Sequence, residues 1–226
     1  MRGIYSGLFV TTLATIMYEI LLTRIFSVTM WYHYAFMAIS IALFGMTLGA
    51  VVVYLFPRFF SVEKTRRRLG EFSFLFSVAI PASFIVYRAI PFAPTDDAGI
   101  GASLISLASL YVTIAIPFIF SGIVVSLALT KYPGHIHKLY AADLVGAALG
   151  CVLLVVVLNI FTGPTAVILI AASTSLASVA FLIGEKTKLI LAGAGFFSVC
   201  IGFVVLNTHF ANKGQALLTL RYVKGG

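Results

Sequence analysis

The chain has 226 residues, of which 61% are hydrophobic and only 10% are charged, and its mean hydropathy is +1.10. Soluble domains carry about 25% charged residues, so this composition excludes a protein whose whole surface faces water. A net charge of +8 would suggest nucleic-acid binding in a soluble protein. Here the cations fall in short loops, where they orient membrane helices, and we expect no nucleic-acid partner.

Apolar runs of the length that a helix needs to cross a bilayer, about 20 residues, follow one another along the chain. Strict alternation of apolar and polar residues, which would indicate a membrane β-barrel, is absent from the sequence. The pattern predicts an all-α bundle over 1–208 and a polar tail over 209–226. The seven predicted spans are 4–28, 31–56, 72–92, 102–130, 139–161, 164–184 and 189–207. The third span is expected to break at Pro81, and 217–223 looks like a single strand.

The lysines and arginines are distributed unevenly between the loops. Ten of the fifteen fall on one side of the predicted bundle: Arg2, Arg58, Lys64, Arg66, Arg67, Arg68, Lys131, Lys138, Lys186 and Lys188. The opposite loops contain Asp96 and Asp97 and almost no basic residue. Because positively charged loops stay in the cytoplasm, we expect the N-terminus inside and the tail outside. The 58–68 loop could also hold anionic lipid headgroups, although topology alone explains its charge.

Four ionisable residues lie within or beside the predicted spans: Glu19, Arg24, Arg88 and Asp143. Charges at membrane depth are costly, so they normally face the bundle and find partners. Glu19 and Arg24 are five residues apart, about 140° around a helix, and do not pair along one face. One interpretation is structural: both arginines extend to the outer interface, and Asp143 anchors the inner end of its span. The alternative is a polar site inside the bundle, to which His33 would also belong.

Glu19 lies nearest to the middle of the membrane. We predict that it faces the protein interior and is held by a polar or basic group of another helix. The candidate partners are His33, Tyr34 and Arg88. The simpler interpretation of 31–34 is an aromatic belt at the outer interface.

Metal-ligand and cofactor motifs are weak in this sequence. His135 and His137 lie two residues apart in a basic loop with no further ligand nearby, which favours a solvated loop over a metal site. Cys151 and Cys200 lie in apolar runs without CxxC spacing. Gly193-Ala-Gly195 lies within an apolar run and is no nucleotide loop. The sequence therefore predicts no metal, no cofactor and no catalytic residue.

Two glycine pairs have the spacing of close-packed membrane helices. Gly45 and Gly49 lie on one face of the second span, and Gly146 and Gly150 on one face of the fifth. Glycines four residues apart allow the backbone of a neighbouring helix to approach closely. We expect packed helix interfaces at both pairs.

Three stretches, in this order, resemble the membrane domain of bacterial spermidine-synthase-like integral membrane proteins. They are YEILLTRIFSV at 18–28, YHYAFMAISIALFG at 32–45 and LYAADLVGAALG at 139–150. In that family several spans precede a soluble domain resembling a polyamine aminopropyltransferase, and 221–225 (RYVKG) looks like the entry to it. The glycine-rich nucleotide loop and catalytic aspartates of that domain have no counterpart here. The resemblance implies the bacterial inner membrane and assigns no catalytic residue to this chain.

Three functions fit these features. The first is a non-catalytic membrane module, acting as an anchor, scaffold or subunit beside other membrane subunits or further copies of itself. The second is a transport or solute-binding bundle that uses Glu19 and Asp143. The third is the membrane half of a split aminopropyltransferase-like enzyme, which would need a separately encoded soluble domain. Lipid is the expected partner in all three.

Overall fold

The computed structural model describes residues 1–29, 34–89, 100–185, 188–211 and 218, with the backbone alone for 100–103. Within these residues the chain forms seven long α-helices and no strand. The helices are α1 (Arg2–Thr29), α2 (Tyr34–Leu55), α3 (Thr65–Ala89), α4 (Ile100–Lys131), α5 (Ile136–Ile160), α6 (Gly163–Leu182) and α7 (Lys188–Ala211). Short 3₁₀ turns at Val62–Lys64 and Pro133–His135 lead into α3 and α5.

All seven of these helices are long and apolar enough to cross a membrane. The prediction of an all-α bundle with seven spans is therefore confirmed, and the protein is a multi-pass membrane protein. Several sequence predictions lie outside the described residues. They concern 31–33, 91–92, Asp96, Asp97, Lys186 and the single strand at 217–223, of which only Leu218 is described.

The third helix differs from its prediction in two ways. It begins at Thr65, about two turns before the expected start at residue 72. Its first turns are charged, and Glu71 pairs with both Arg67 and Arg68 at helical spacing, which supports a helix that hydropathy alone does not detect. The predicted break at Pro81 is wrong, because α3 continues through it. Membrane helices tolerate proline when neighbouring helices and nearby groups satisfy the freed backbone atoms.

Four helices form the centre of the bundle. α1, α6, α3 and α4 pack in a ring in that order, while α2 lies on α4 and α1, α5 on α1, and α7 on α6. Burial follows this arrangement: 67% of the apolar segment of α6 and 61% of that of α1 are buried, against 22% for α5 and 17% for α7. α5 and α7 therefore present most of their surface to the surroundings of the bundle.

One end of the bundle gathers the basic loops. The Arg66 side chain, in the first turn of α3, donates hydrogen bonds to the carbonyl oxygens of Phe181 (2.8 Å) and Ile183 at the end of α6. The Tyr5 and His135 rings lie 6.3 Å apart, which joins the starts of α1 and α5. We call this end, where α1, α3 and α5 begin, the basic end.

The opposite end contains the last turns of α1, α3 and α7. The hydroxyls of Thr29 and Tyr87 lie 2.6 Å apart, and Asn207 donates to Thr165 at 2.8 Å. The N-terminus of α1 and the C-terminus of α7 are therefore at opposite ends of the bundle, as an odd number of spans requires.

Candidate functional site: polar groups within the bundle

Hydroxyl groups connect the central helices inside the bundle. Thr15 of α1 bonds to Ser121 of α4, and the Tyr18 hydroxyl lies 2.9 Å from that of Ser83 on α3. The Tyr18 ring also stacks on Phe118, with ring centroids 5.5 Å apart. All of these side chains are buried. None of these residues was a candidate from the sequence, although Thr15 and Tyr18 are three residues apart and so share one face of α1.

A second set of hydroxyl bonds joins α3 to α6. Ser178 donates to the Gly70 carbonyl oxygen at 2.7 Å, and Ser73 donates to that of Thr174 at 3.2 Å. In the described part of the chain, the Nε atoms of Arg68 and Arg88 are the only buried side-chain nitrogen or oxygen atoms without a hydrogen-bond partner. Every buried hydroxyl there is thus satisfied, some by the carbonyl groups of their own helix and others by a neighbouring helix.

Asp143 is half-buried on α5 and bonds to α1. The Thr12 hydroxyl lies 2.6 Å from its Oδ1 and 3.1 Å from the Leu8 carbonyl oxygen. A hydroxyl has one hydrogen to donate, and the shorter distance is in the range of a charge-assisted bond to a carboxylate. Asp143 therefore joins α5 to α1.

Glu19 has no such partner in the part of the chain that the structure describes. It is half-buried on α1, seven residues beyond Thr12 and therefore on the same face, roughly 10 Å further along the axis. Among the residues that the structure describes, it forms no hydrogen bond or ion pair. Its candidate partner His33 lies outside those residues, and Arg88 does not contact it as an ion pair.

The two membrane arginines are placed differently from each other. Arg24 is exposed near the end of α1, and Arg88 is half-buried near the end of α3, with its Nε atom unpartnered. Within the described ranges, Glu19, Arg24, Arg88 and Asp143 form no hydrogen bond or ion pair with one another. The structure thus distributes the candidate polar residues along the bundle and does not join them in one cluster.

The glycine pair of α5 lies against the backbone of α1. A Cβ atom added to Gly146 would lie 2.5 Å from the carbonyl oxygen of Phe9, and one on Gly150 would lie 2.6 Å from that of Leu13. Real Cβ atoms essentially never come so close to other atoms. The two helices could not keep this separation with any side chain at either position.

The glycine pair of α2 faces α4. A Cβ atom on Gly45 would lie 2.8 Å from the Ala115 carbonyl oxygen, and one on Gly49 would lie still closer to the Ile119 carbonyl oxygen of α4. α4 contributes a glycine of its own, because Gly122 lies directly against the backbone of Met46. The sequence spacing indicated Gly45 and Gly49 but gave no reason to select Gly122, which has no glycine partner four residues away.

Arg66 caps the end of α6 at the basic end. Its bonds to the last carbonyl groups place a cation where the helix dipole is negative. Gly184 follows with a φ of +92°, a conformation that favours glycine at a helix C-terminus. In the neighbouring loop, burial raises the pKa of the Tyr132 phenol, opposed by Arg66 and reinforced by Glu185. From the sequence alone, Arg66 was expected only to contribute to the positive loop charge that orients the helices.

The described residues contain no group of three or more His, Cys, Asp or Glu side chains close enough to hold a metal ion. Of the two free cysteines, Cys151 is exposed on α5 and Cys200 is buried on α7. Comparison with known proteins gives no match: no family model, no curated protein and no solved structure matches the chain. The resemblance noted above remains a prediction.

Proposed function

We propose that this protein is a non-catalytic membrane module that anchors or scaffolds a membrane-protein complex as one of its subunits. The proposal rests on where in the bundle the polar groups with and without hydrogen-bond or ion-pair partners lie. The buried hydroxyls of the described core all have partners. Glu19 and Arg24, on a spanning helix, have none among the described residues. The charged side chains of α1 that lack a partner therefore lie away from the centre of the bundle. In that position another chain can contact them.

The sequence resemblance supports the same proposal. The described residues of its three stretches lie on α1, α2 and α5, and α1 packs against both of the other helices. We propose that the chain is a membrane module of the spermidine-synthase-like kind, in which the helices that carry the motifs pack together around α1.

A transport or solute-binding bundle is the second candidate. It is favoured by the position of Glu19 on the same face of α1 as Thr12, the partner of Asp143. A solute route through the centre would require α1 to separate from α4 and break the bond between Thr15 and Ser121. The closed core therefore favours the structural role.

A Glu19→Leu variant tests the proposed role. If the carboxylate meets a partner subunit, the variant should run as the isolated chain when membranes are extracted into polymer nanodiscs, whereas the unmodified protein runs as a larger assembly. The purified chain should melt at the same or a higher temperature, because removal of a half-buried charge without an internal partner costs the fold nothing. Mass by light scattering and a thermal melt give the two readouts.

Glu63→Leu is the matched control, since it removes an exposed carboxylate at the basic end. It should leave the assembly intact. An unmodified protein that runs as a single chain would overturn the proposal. A fall in the melting temperature of the Glu19 variant would instead show that the carboxylate has a partner within the chain.

We further propose that the basic end faces the cytoplasm across a bacterial inner membrane. The test replaces Cys151 and Cys200 by alanine and introduces Lys64→Cys or Ser27→Cys, both exposed positions at opposite ends. An impermeant maleimide should label the Ser27 position in intact cells and the Lys64 position only after the membrane is opened. The reverse pattern would show the opposite orientation.

A further inference from the structure

The segment between α2 and α3, residues 56–64, combines exposed apolar and cationic side chains. Phe56, Phe59 and Val62 are 57%, 45% and 69% exposed, and Arg58 and Lys64 beside them are also exposed. In water this much apolar surface would be unfavourable. Aromatic and apolar side chains mixed with cations are typical of the membrane interface, where the apolar groups enter the acyl boundary and the charges meet the headgroups.

The 56–64 segment is held firmly against the bundle. Phe60 is buried, and its ring lies 5.6 Å from that of Phe72 on α3 and 5.0 Å from that of Phe59. The Arg68 guanidinium lies 3.7 Å above the Phe59 ring. The exposed side chains therefore project from a fixed support at the end of two spanning helices, and little ordering is needed when a ligand binds.

The cations here differ in how far they are already neutralised. Arg66 is occupied by the carbonyl groups of α6, and Arg67 and Arg68 share the carboxylate of Glu71. Arg58 and Lys64 form no ion pair with any residue that the structure describes.

The exposed Glu63 is the one carboxylate within the 56–64 segment. Two exposed cations without an ion-pair partner among the described residues thus stand beside exposed apolar side chains at the basic end.

We propose that the 56–64 segment binds the headgroup of an anionic phospholipid, with Arg58 and Lys64 contacting the phosphate and Phe56, Phe59 and Val62 contacting the acyl chains. The positive charge of the loops sets topology, but topology requires no apolar side chains among the charges. The apolar groups select a lipid over free phosphate, and the two unpaired cations select an anionic over a zwitterionic lipid. This inference does not depend on the proposed subunit role.

The test titrates delipidated protein with dioleoyl phosphatidylglycerol and counts bound lipids by native mass spectrometry. In the double variant Arg58→Gln, Lys64→Gln, the affinity for the first lipid should fall about thirtyfold, since each of the two cations near a membrane surface contributes about 1 kcal/mol. Dioleoyl phosphatidylcholine should bind weakly and equally to both proteins. The charge-preserving variant Arg58→Lys, Lys64→Arg should retain the affinity and show that the loop still folds.

The matched control is Lys131→Gln, Lys138→Gln, which removes the same charge from the end of α4 and the start of α5 at the basic end. It should bind phosphatidylglycerol as the unmodified protein does. Equal losses in the two double variants would mean that net charge alone attracts the lipid, and would overturn the site. Displacement of the lipid by inorganic phosphate would also overturn it, because the acyl contacts would then contribute nothing.

Discussion

Replacing Gly150 by leucine should prevent α5 from packing on α1. A Cβ atom at this position would already lie 2.6 Å from the Leu13 carbonyl oxygen, and backbone cannot move aside as a flexible side chain can. Overpacking costs about 1–3 kcal/mol where side chains can rearrange, so we expect at least the upper end of that range, or no folded protein. Denaturant unfolding in bicelles and the yield of monodisperse protein would measure the effect.

Gly195→Leu is the matched control for this change. Gly195 lies on the exposed face of α7, and nothing lies within 4 Å of a Cβ atom placed there. The two variants add the same apolar side chain to a spanning helix, but only the Gly150 variant meets another helix. Equal stability of the two would show that α5 does not approach α1 as closely as the structure places it.

The glycine contacts also show how much of the helix packing could be predicted from the sequence. The spacing of Gly146 and Gly150 identified a helix face that needs a close neighbour, because only backbone fits there. It could not identify α1 as that neighbour, since the Phe9 and Leu13 backbone that α5 meets has no distinctive sequence. Gly122 is the opposite case. It contacts another helix, but a single glycine between larger residues forms no spacing motif from which that contact could be predicted.

The polar residues were harder to interpret from the sequence than the spans. The hydropathy pattern places the carboxylates of Glu19 and Asp143 within spanning segments, where a charge is costly. That cost alone does not show which of the two carboxylates has a hydrogen-bond partner. The bond from Thr12 to Asp143 joins residues 131 positions apart, and no local pattern encodes it. Nothing in the sequence marks the buried Thr15 and Ser121 as partners, because hydroxyls can bond to their own helix and are common in membrane spans.

The hydrogen bond between Thr12 and Asp143 should stabilise the packing of α1 on α5. Thr12→Val removes the hydroxyl and leaves the half-buried carboxylate without its donor, which should lower the free energy of unfolding by about 1.5 kcal/mol, as expected for bonds to charged groups. Asp143→Leu should cost less than this, since it removes the carboxylate together with its need for a donor. Thr12→Ser, which keeps the hydroxyl, should restore most of the stability.

A double-mutant cycle separates this bond from other effects of the two changes. With Asp143→Leu already in place, Thr12→Val should cost almost nothing, which gives a coupling energy of about 1.5 kcal/mol between the two side chains. Thr47→Val is the control, because Thr47 is exposed on α2 and bonds only to the carbonyl of Leu43 in its own helix. If Thr47→Val and Thr12→Val lower stability equally, or if the two α1–α5 changes are additive, the hydroxyl contributes nothing to the contact.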